Sequence, residues 1–189
     1  AAIGGIFMRY LKAPAFLLAI LILVSLFPAY ALAAPEASPE IETVINIYHT
    51  NDVHGHALGN ESSIGYARFK TYVKEDTADG KLIVDAGDAF SGSAFTNLSE
   101  GESISQIMNS VGYNAYVPGS HDFEYGTDRL LELVEESGTD GLALNLLKDG
   151  QPLFPAYRIF QKNGVKIGVI GIVSPDVPAV NDPNQLSGL

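Results

Sequence analysis

Residues 48–56 read Tyr48-His49-Thr50-Asn51-Asp52-Val53-His54-Gly55-His56, and the rest of the chain is organised around them. They follow a short apolar run, Thr43 to Tyr48, that reads as a buried strand. Asp52 and His54 fall just where that strand ends. In an open α/β sheet, ligands gather outside the carboxyl ends of the strands. Two residues at i and i+2 on an extended segment point the same way. On that reading Asp52 and His54 reach one metal ion together. The pair alone is a weak signal, because aspartate and histidine often fall at this spacing by chance. Its weight comes from two further polar clusters after two later strands.

The second cluster is Asp85-Ala86-Gly87-Asp88-Ala89-Phe90-Ser91-Gly92-Ser93, directly after an apolar strand over Lys81 to Asp85. Gly87 permits a tight turn and Asp88 emerges at its end. A carboxylate has two oxygens, so Asp88 can bridge two metals about 3.5–4 Å apart. The plainer alternative is a Gly-Asp turn that caps the next helix. The third cluster, Pro118-Gly119-Ser120-His121-Asp122-Phe123-Glu124-Tyr125-Gly126, follows a strand over Asn114 to Val117. The three-residue spacing of His121 and Glu124 suits an imidazole oriented by a carboxylate. The alternative places His121 in a solvated loop, with Asp122 and Glu124 as the acidic first turn of a helix. Three such loops after three successive strands converge on one rim of a sheet.

Composition narrows the chemistry. The 189 residues suffice for one domain with a real core. Hydrophobic residues make up 47%, which excludes a disordered chain. A net charge of −11 argues against nucleic-acid binding by phosphate neutralisation. There is no cysteine, so disulfides, thiolate nucleophiles and thiolate metal sites are excluded together. Any metal is held by carboxylate, imidazole, amide or hydroxyl groups.

The chain opens with a targeting pattern. Residues 1–7 precede Met8 and read as lying outside the coding sequence. Arg9 and Lys12 give a positive start, Phe16 to Phe27 is apolar but for Ser25, and Ala31-Leu32-Ala33 offers a cleavage site. Residues 1–33 thus read as a signal peptide, which predicts a secreted, periplasmic or cell-surface protein. The alternative is a membrane anchor, although the apolar block is short of the roughly 20 residues a span needs. Loss of Arg9 and Lys12 leaves 9 basic against 22 acidic residues, a net −13. Residues 34–41, with Pro35 and Pro39, form a flexible lead-in, and residues 42–189 form the folded part.

Strand and helix signals alternate through that part. A helix is predicted over Ile64 to Asp76, with Ile64, Ala67, Tyr72 and Val73 facing the core. A second runs over Glu102 to Val111, with Ile104, Ile107 and Met108 on one face. A third covers Asp128 to Ser137, capped by Thr127, with Leu130, Leu131 and Val134 inward. Gly141 to Leu146 reads as a fourth strand. Tyr157 to Gln161 and Val165 to Val173 flank Asn163-Gly164, a strong hairpin signal. This alternation predicts an α/β layered fold, and the hairpin predicts a mixed sheet. His49 lies in strand register facing the core and reads as structural; His56 lines the site without being a ligand. Asn60-Glu61-Ser62 and Asn97-Leu98-Ser99 match the glycosylation acceptor pattern, which is common by chance.

On the three motifs His49-Thr50-Asn51-Asp52-Val53-His54-Gly55-His56, Gly87-Asp88-Ala89-Phe90-Ser91-Gly92 and Gly119-Ser120-His121-Asp122-Phe123-Glu124-Tyr125-Gly126, the chain resembles the secreted 5′-nucleotidase family of calcineurin-like metallophosphoesterases. The resemblance runs from about Thr43 to the end. It implies a four-layer α/β/β/α sandwich, incomplete here, with two divalent metal ions from among Zn, Mn, Fe and Mg. It implies that Asp52 and His54 ligate the first metal, that Asp88 bridges both, and that His121 is the catalytic histidine partnered by Glu124. The implied function is metal-dependent hydrolysis of nucleotide phosphoesters, of 5′-nucleotidase, UDP-sugar hydrolase or 2′,3′-cyclic phosphodiesterase type. The implied partner is a nucleotide or other phosphoester substrate, with a membrane involved only through the signal segment if it is not removed.

The third motif departs from the family pattern Gly-Asn-His-(Glu/Asp)-Phe-Asp. Ser120 stands where the asparagine ligand of the second metal is expected, and Glu124 where the aspartate is expected. The family's later Gly-His segments have no counterpart, since His49, His54, His56 and His121 are the four histidines of the chain. The chain therefore reads as the N-terminal portion of the catalytic domain of a longer enzyme. The alternative is an inactive secreted remnant that binds metal or a surface partner.

Overall fold

The computed structural model describes residues 42–189. The signal peptide expected over 1–33 and the flexible lead-in expected over 34–41 lie outside the described residues. Four strands pair in parallel in the order of the sequence: β1 (Ile45–Thr50), β2 (Gly80–Asp85), β3 (Ala115–Tyr116) and β4 (Asp140–Gly141). β1 and β2 are matched over six residues, from Ile45 opposite Gly80 to Thr50 opposite Asp85. Parallel neighbours need crossovers, and helices supply them. These are α1 (Tyr66–Glu75), then α2 (Ala94–Asn97) with α3 (Glu102–Val111), then α4 (Thr127–Ser137). The result is an α/β fold, as the alternation predicts, and its four-stranded sheet is parallel. All β-to-α turns of one parallel sheet leave from the same edge, so the three polar clusters share that edge.

The core is built from the inner faces of the helices. Tyr116, Phe90, Phe123, Ile104, Met108, Leu130 and Leu133 are fully buried. Ile104 and Met108 on α3 were expected there, and Ile107 packs against them half-buried. Ser105 Oγ donates to the Leu133 carbonyl at 2.8 Å and locks α3 to α4. Among the described residues no helix is long and apolar enough to cross a membrane.

Several expectations need correction. Among the described residues β1 is an edge strand with a half-buried, alternating pattern, because β2 is the one strand that pairs with it there. His49 is exposed for the same reason and does not face the core. α1 buries Tyr66, Phe69 and Val73, while Ile64, Ala67 and Tyr72 are exposed. Two aromatic rings three apart cover more apolar area than the stripe through Ile64, and the larger area sets the rotation. Thr127 is the first residue of α4 rather than its cap; Gly126 precedes the helix, and Thr127 instead donates to the Gln185 carbonyl.

The fourth strand is shorter than expected. After β4 the chain turns away, and Ala143 and Leu144 donate their N–H groups to the carbonyls of Pro155 and Gly171. Two small antiparallel pairs follow, β5 (Leu147–Lys148) with β6 (Gln151–Pro152) and β7 (Tyr157–Lys162) with β8 (Val165–Ile170). Asn163 and Gly164 both have positive φ, 44° and 82°, as their hairpin turn requires. The hairpin forms its own two-stranded sheet, so the expected mixed sheet is absent among the described residues.

Two carboxylates hold the strand ends in place. At the far edge, Asp76 ends α1 and accepts from Tyr48 Oη at 2.6 Å and Asn46 Nδ2 at 2.9 Å, both on β1. The Tyr48 bond above all lowers its pKa to about 2. At the active edge, Asp122 is wholly buried. One of its oxygens accepts from the N–H groups of Ala89 and Phe90 at 2.9 Å each. The other accepts from Asp88 at 2.6 Å and Gly119 at 2.8 Å. One side chain thereby joins the loop after β2 to the loop after β3. Burial raises its pKa, and the N–H donors oppose that rise.

Asp122→Ala strands four backbone donors and should lower stability by about 3–5 kcal/mol, read as a fall in the urea midpoint. An unchanged midpoint would refute the clasp. Asp76 has a folded pKa below its ordinary value, so its bonds stabilise above about pH 4 and are lost as pH falls toward about 2. The advantage of wild type over Asp76→Asn in urea should therefore shrink across that window, and a constant advantage would count against it.

Candidate metal centre

The sequence makes the first loop short and the glycines make it close-packed. Beyond β1 the loop Asn51 to Gly55 runs alongside the loop after β2. Asp52 N–H donates to the Gly87 carbonyl at 2.9 Å, His54 N–H to Asp88 at 2.8 Å, and Gly55 N–H to Ala89 at 3.0 Å. Asp52, His54 and Asp88 all adopt left-handed backbone, with φ of 52°, 47° and 55°. Non-glycine residues pay about 1 kcal/mol or more for this, and such strain gathers at functional sites. The expectation of an extended segment is thus wrong in detail. Asp52 and His54 face one point because two left-handed residues turn the loop, not because a strand alternates.

The loops after β2 and β3 touch through glycine backbone. A Cβ on Gly87 would sit 2.2 Å from the Gly119 nitrogen, and one on Gly119 would sit 2.3 Å from Asp88 Oδ1. Any side chain at either position forces the two loops apart. Asp88 Oδ1 then accepts the His121 N–H at 2.7 Å, which ties the carboxylate to the third loop. Ser91 Oγ donates to the His121 carbonyl at 3.0 Å.

These contacts bring together three potential ligands. Asp52, His54 and Asp88 each offer an atom within 4.8 Å of the others. Asp52 is exposed, while His54 and Asp88 are half-buried, so the cluster opens to solvent. Two carboxylates at this separation repel unless a cation or proton lies between them. The set contains oxygen and nitrogen donors only, which suits Zn, Mn, Fe or Mg.

His121 stands beside the cluster, its ring centroid 5.4 Å from that of His54. Its Nδ1 lies 2.9 Å from Glu124 Oε1, so the extra methylene of glutamate still reaches the ring. That hydrogen bond raises the imidazole pKa above its ordinary value and favours the protonated form. The acidic-turn alternative for Glu124 is therefore set aside; Asp122 occupies the turn but acts as the loop clasp. Ser120 opens the short 3-10 turn Ser120–Phe123, half-buried, with its carbonyl bonded to Asn181 Nδ2 at 2.7 Å. His56 is exposed and borders a cavity of about 440 Å³ between Gly55–Asn60 and Phe95.

Asp85 supports the same edge from beneath. It is buried at the end of β2, accepts from the Thr50 hydroxyl, and accepts the Gly87 N–H at 2.8 Å. Burial pushes its pKa up to about 7, against the lowering effect of those donors. Tyr113 Oη lies 2.8 Å from Thr50 Oγ1 and extends the chain of contacts. Sequence reasoning missed the clasp role of Asp122 and gave no role to Asn181 or Gln185. A lone acidic residue after His121 carries no signal of four backbone partners, and the other two lie some 60 positions away.

No protein-family model matches the chain. A 5′-nucleotidase of Vibrio vulnificus is 30% identical over 154 residues, covering 77% of this chain and 28% of that protein. The protein UshA of Escherichia coli is 31% identical over the same length, with the same two coverages. Among solved structures, the 5′-nucleotidase precursor of Thermus thermophilus superposes with a TM-score of 0.61 at 26% identity, over 70% of this chain and 29% of that one. The calcineurin-like phosphoesterase YfkN of Bacillus subtilis shares the fold, with a TM-score of 0.59 at 22% identity, over 78% of this chain and 53% of that one. The chain spans under a third of the length of the curated relatives it matches. Over that span it belongs to the 5′-nucleotidase family.

Proposed function

We propose that this chain is part of a metal-dependent phosphoester hydrolase acting on nucleotides, of 5′-nucleotidase, UDP-sugar hydrolase or 2′,3′-cyclic phosphodiesterase type. The supporting observation is the approach of Asp52, His54 and Asp88 to within 4.8 Å beside the His121–Glu124 pair. Asp52 and His54 would hold a first divalent ion, Asp88 would bridge to a second, and Ser120 would contribute to the second. Bound ions supply Lewis acidity, neutralising phosphate charge and lowering the pKa of a coordinated water toward about 7.

The side chains do the rest. His121, whose protonated form the bond to Glu124 favours, would offset negative charge developing on the phosphate or leaving oxygen. Glu124 holds the ring in one orientation, which matters because a misplaced acid loses much of its effect. The left-handed backbone at Asp52, His54 and Asp88 fixes the ligands before substrate arrives, so little ordering remains to be done on binding. Without cations the cluster is anionic and repels a phosphate, so binding and turnover both require metal. The four-layer sandwich and export through residues 1–33 belong to the same proposal. Support for export is the charged start at Arg9 and Lys12 before the apolar block.

A second reading is an inactive secreted module that binds metal or a surface partner. Ser120 favours it, because a hydroxyl is shorter than an amide and a weaker neutral ligand.

Manganese or zinc should bind wild type by calorimetry, and Asp88→Asn should lose at least about 10-fold in affinity. With manganese or zinc the protein should release phosphate from a nucleoside monophosphate, and a chelator should stop it. Metal binding without turnover would select the metal-binding form of the second reading, and no metal binding at all would overturn both the hydrolase and the metal-binding module. Ser120→Asn should tighten the second metal and raise turnover by about 10-fold if the hydroxyl limits that site. No gain in either would remove Ser120 from the site.

A further inference from the structure

The segment after the hairpin returns to the third loop and brackets it. The short helix α5 (Val177–Val180) leads into Asn181, whose Nδ2 donates to the Ser120 carbonyl at 2.7 Å and to the Val177 carbonyl at 2.9 Å. Four residues on, Gln185 Nε2 donates to the Glu124 carbonyl. The Gln185 carbonyl in turn accepts from Thr127 N–H and Thr127 Oγ1, each at 3.1 Å. Val177 and Leu186 are buried at the two ends of the segment and anchor it to the core. One stretch of ten residues thus grips the loop at Ser120, at Glu124 and at Thr127.

The grip encloses the His121–Glu124 pair. Ser120 immediately precedes the imidazole, and Glu124 supplies both the carboxylate that meets Nδ1 and the carbonyl that Gln185 holds. From inside, the loop is held by Asp122 and by the His121 N–H on Asp88. From outside, it is held by Asn181 and Gln185. The role of Asn181 is specific to its amide nitrogen: Oδ1 is buried and has no hydrogen-bond partner among the described residues.

We propose that Asn181 and Gln185 are positioning residues that hold the Ser120 and Glu124 carbonyls and thereby fix the His121–Glu124 pair beside Asp52, His54 and Asp88. The catalytic consequence rests on the hydrolase reading above; the positioning itself does not. Both side chains act as donors to carbonyl oxygens. Replacing the donor nitrogen by oxygen therefore removes the bond without changing size.

The test uses the full chain and the variants Asn181→Asp and Gln185→Glu, with Asn181→Ala and Gln185→Ala in case the buried carboxylate disrupts folding. The first readout is the imidazole ¹H–¹⁵N spectrum without added metal. Wild type should show a downfield Nδ1 proton shared with Glu124, and the variants should lose it or move it upfield while far-UV circular dichroism is unchanged. His121→Ala assigns the signal. The second readout is hydrolysis of a nucleoside monophosphate with manganese, where kcat should fall about 10- to 100-fold with KM held within about 2-fold. An unaltered Nδ1 signal in folded variants overturns the proposal. Absence of hydrolysis in wild type removes the hydrolase reading alone, and the spectrum still decides the positioning role.

Discussion

The buried carboxylate of Asp122 holds the active edge of this fold together. It accepts four backbone N–H groups, two from the body of the loop after β2, one from Asp88 and one from Gly119. A parallel sheet brings its β-to-α turns to one edge but does not set their spacing to an ångström. Here a charged acceptor, removed from water, does so. Its desolvation is costly, and the four donors offset that cost only in one arrangement of the two loops. The same arrangement places Asp88 Oδ1 on the His121 N–H and lets Gly87 and Gly119 meet backbone to backbone.

Strain accompanies this order. Asp52, His54 and Asp88 all carry positive φ, which is uncommon outside glycine although Asp and His tolerate it better than most side chains. The hydrogen bonds from the first loop to the carbonyls of Gly87, Asp88 and Ala89 hold two of the three in place. The cluster is therefore preorganised by backbone contacts rather than by the ligands themselves. Asp52 and Asp88 lie close together beside His54, while Asp85 is buried at the end of β2, where desolvation pushes its pKa up to about 7.

Much of this was legible along the chain. The helix over Glu102 to Val111 has the bounds its apolar spacing implies, and Asn163-Gly164 turns the hairpin with two positive φ values. The partnership of His121 and Glu124 follows from their spacing in one turn. Other readings failed where two apolar stripes competed. Of the expected core face Ile64, Ala67, Tyr72 and Val73, only Val73 is buried; packing against the core selects Tyr66 and Phe69 beside it. The strand expected over Gly141 to Leu146 is cut short because its later N–H groups find the carbonyls of Pro155 and Gly171, on either side of the hairpin, rather than those of β3.

The sequence by itself determined the local chemistry: which loops carry carboxylate and imidazole, that no thiolate takes part, and that strands and helices alternate into an α/β fold. Those features depend on residues within a few positions of one another, where propensity and spacing act directly. The tertiary structure alone decided that Asp122 is a clasp, that His49 lies on an exposed edge, and that Asn181 and Gln185 grip the His121 loop. Each of these joins groups that lie more than 30 positions apart or depends on which strand has a neighbour. Such pairings are fixed by how the whole core packs, and no local pattern in the chain encodes them.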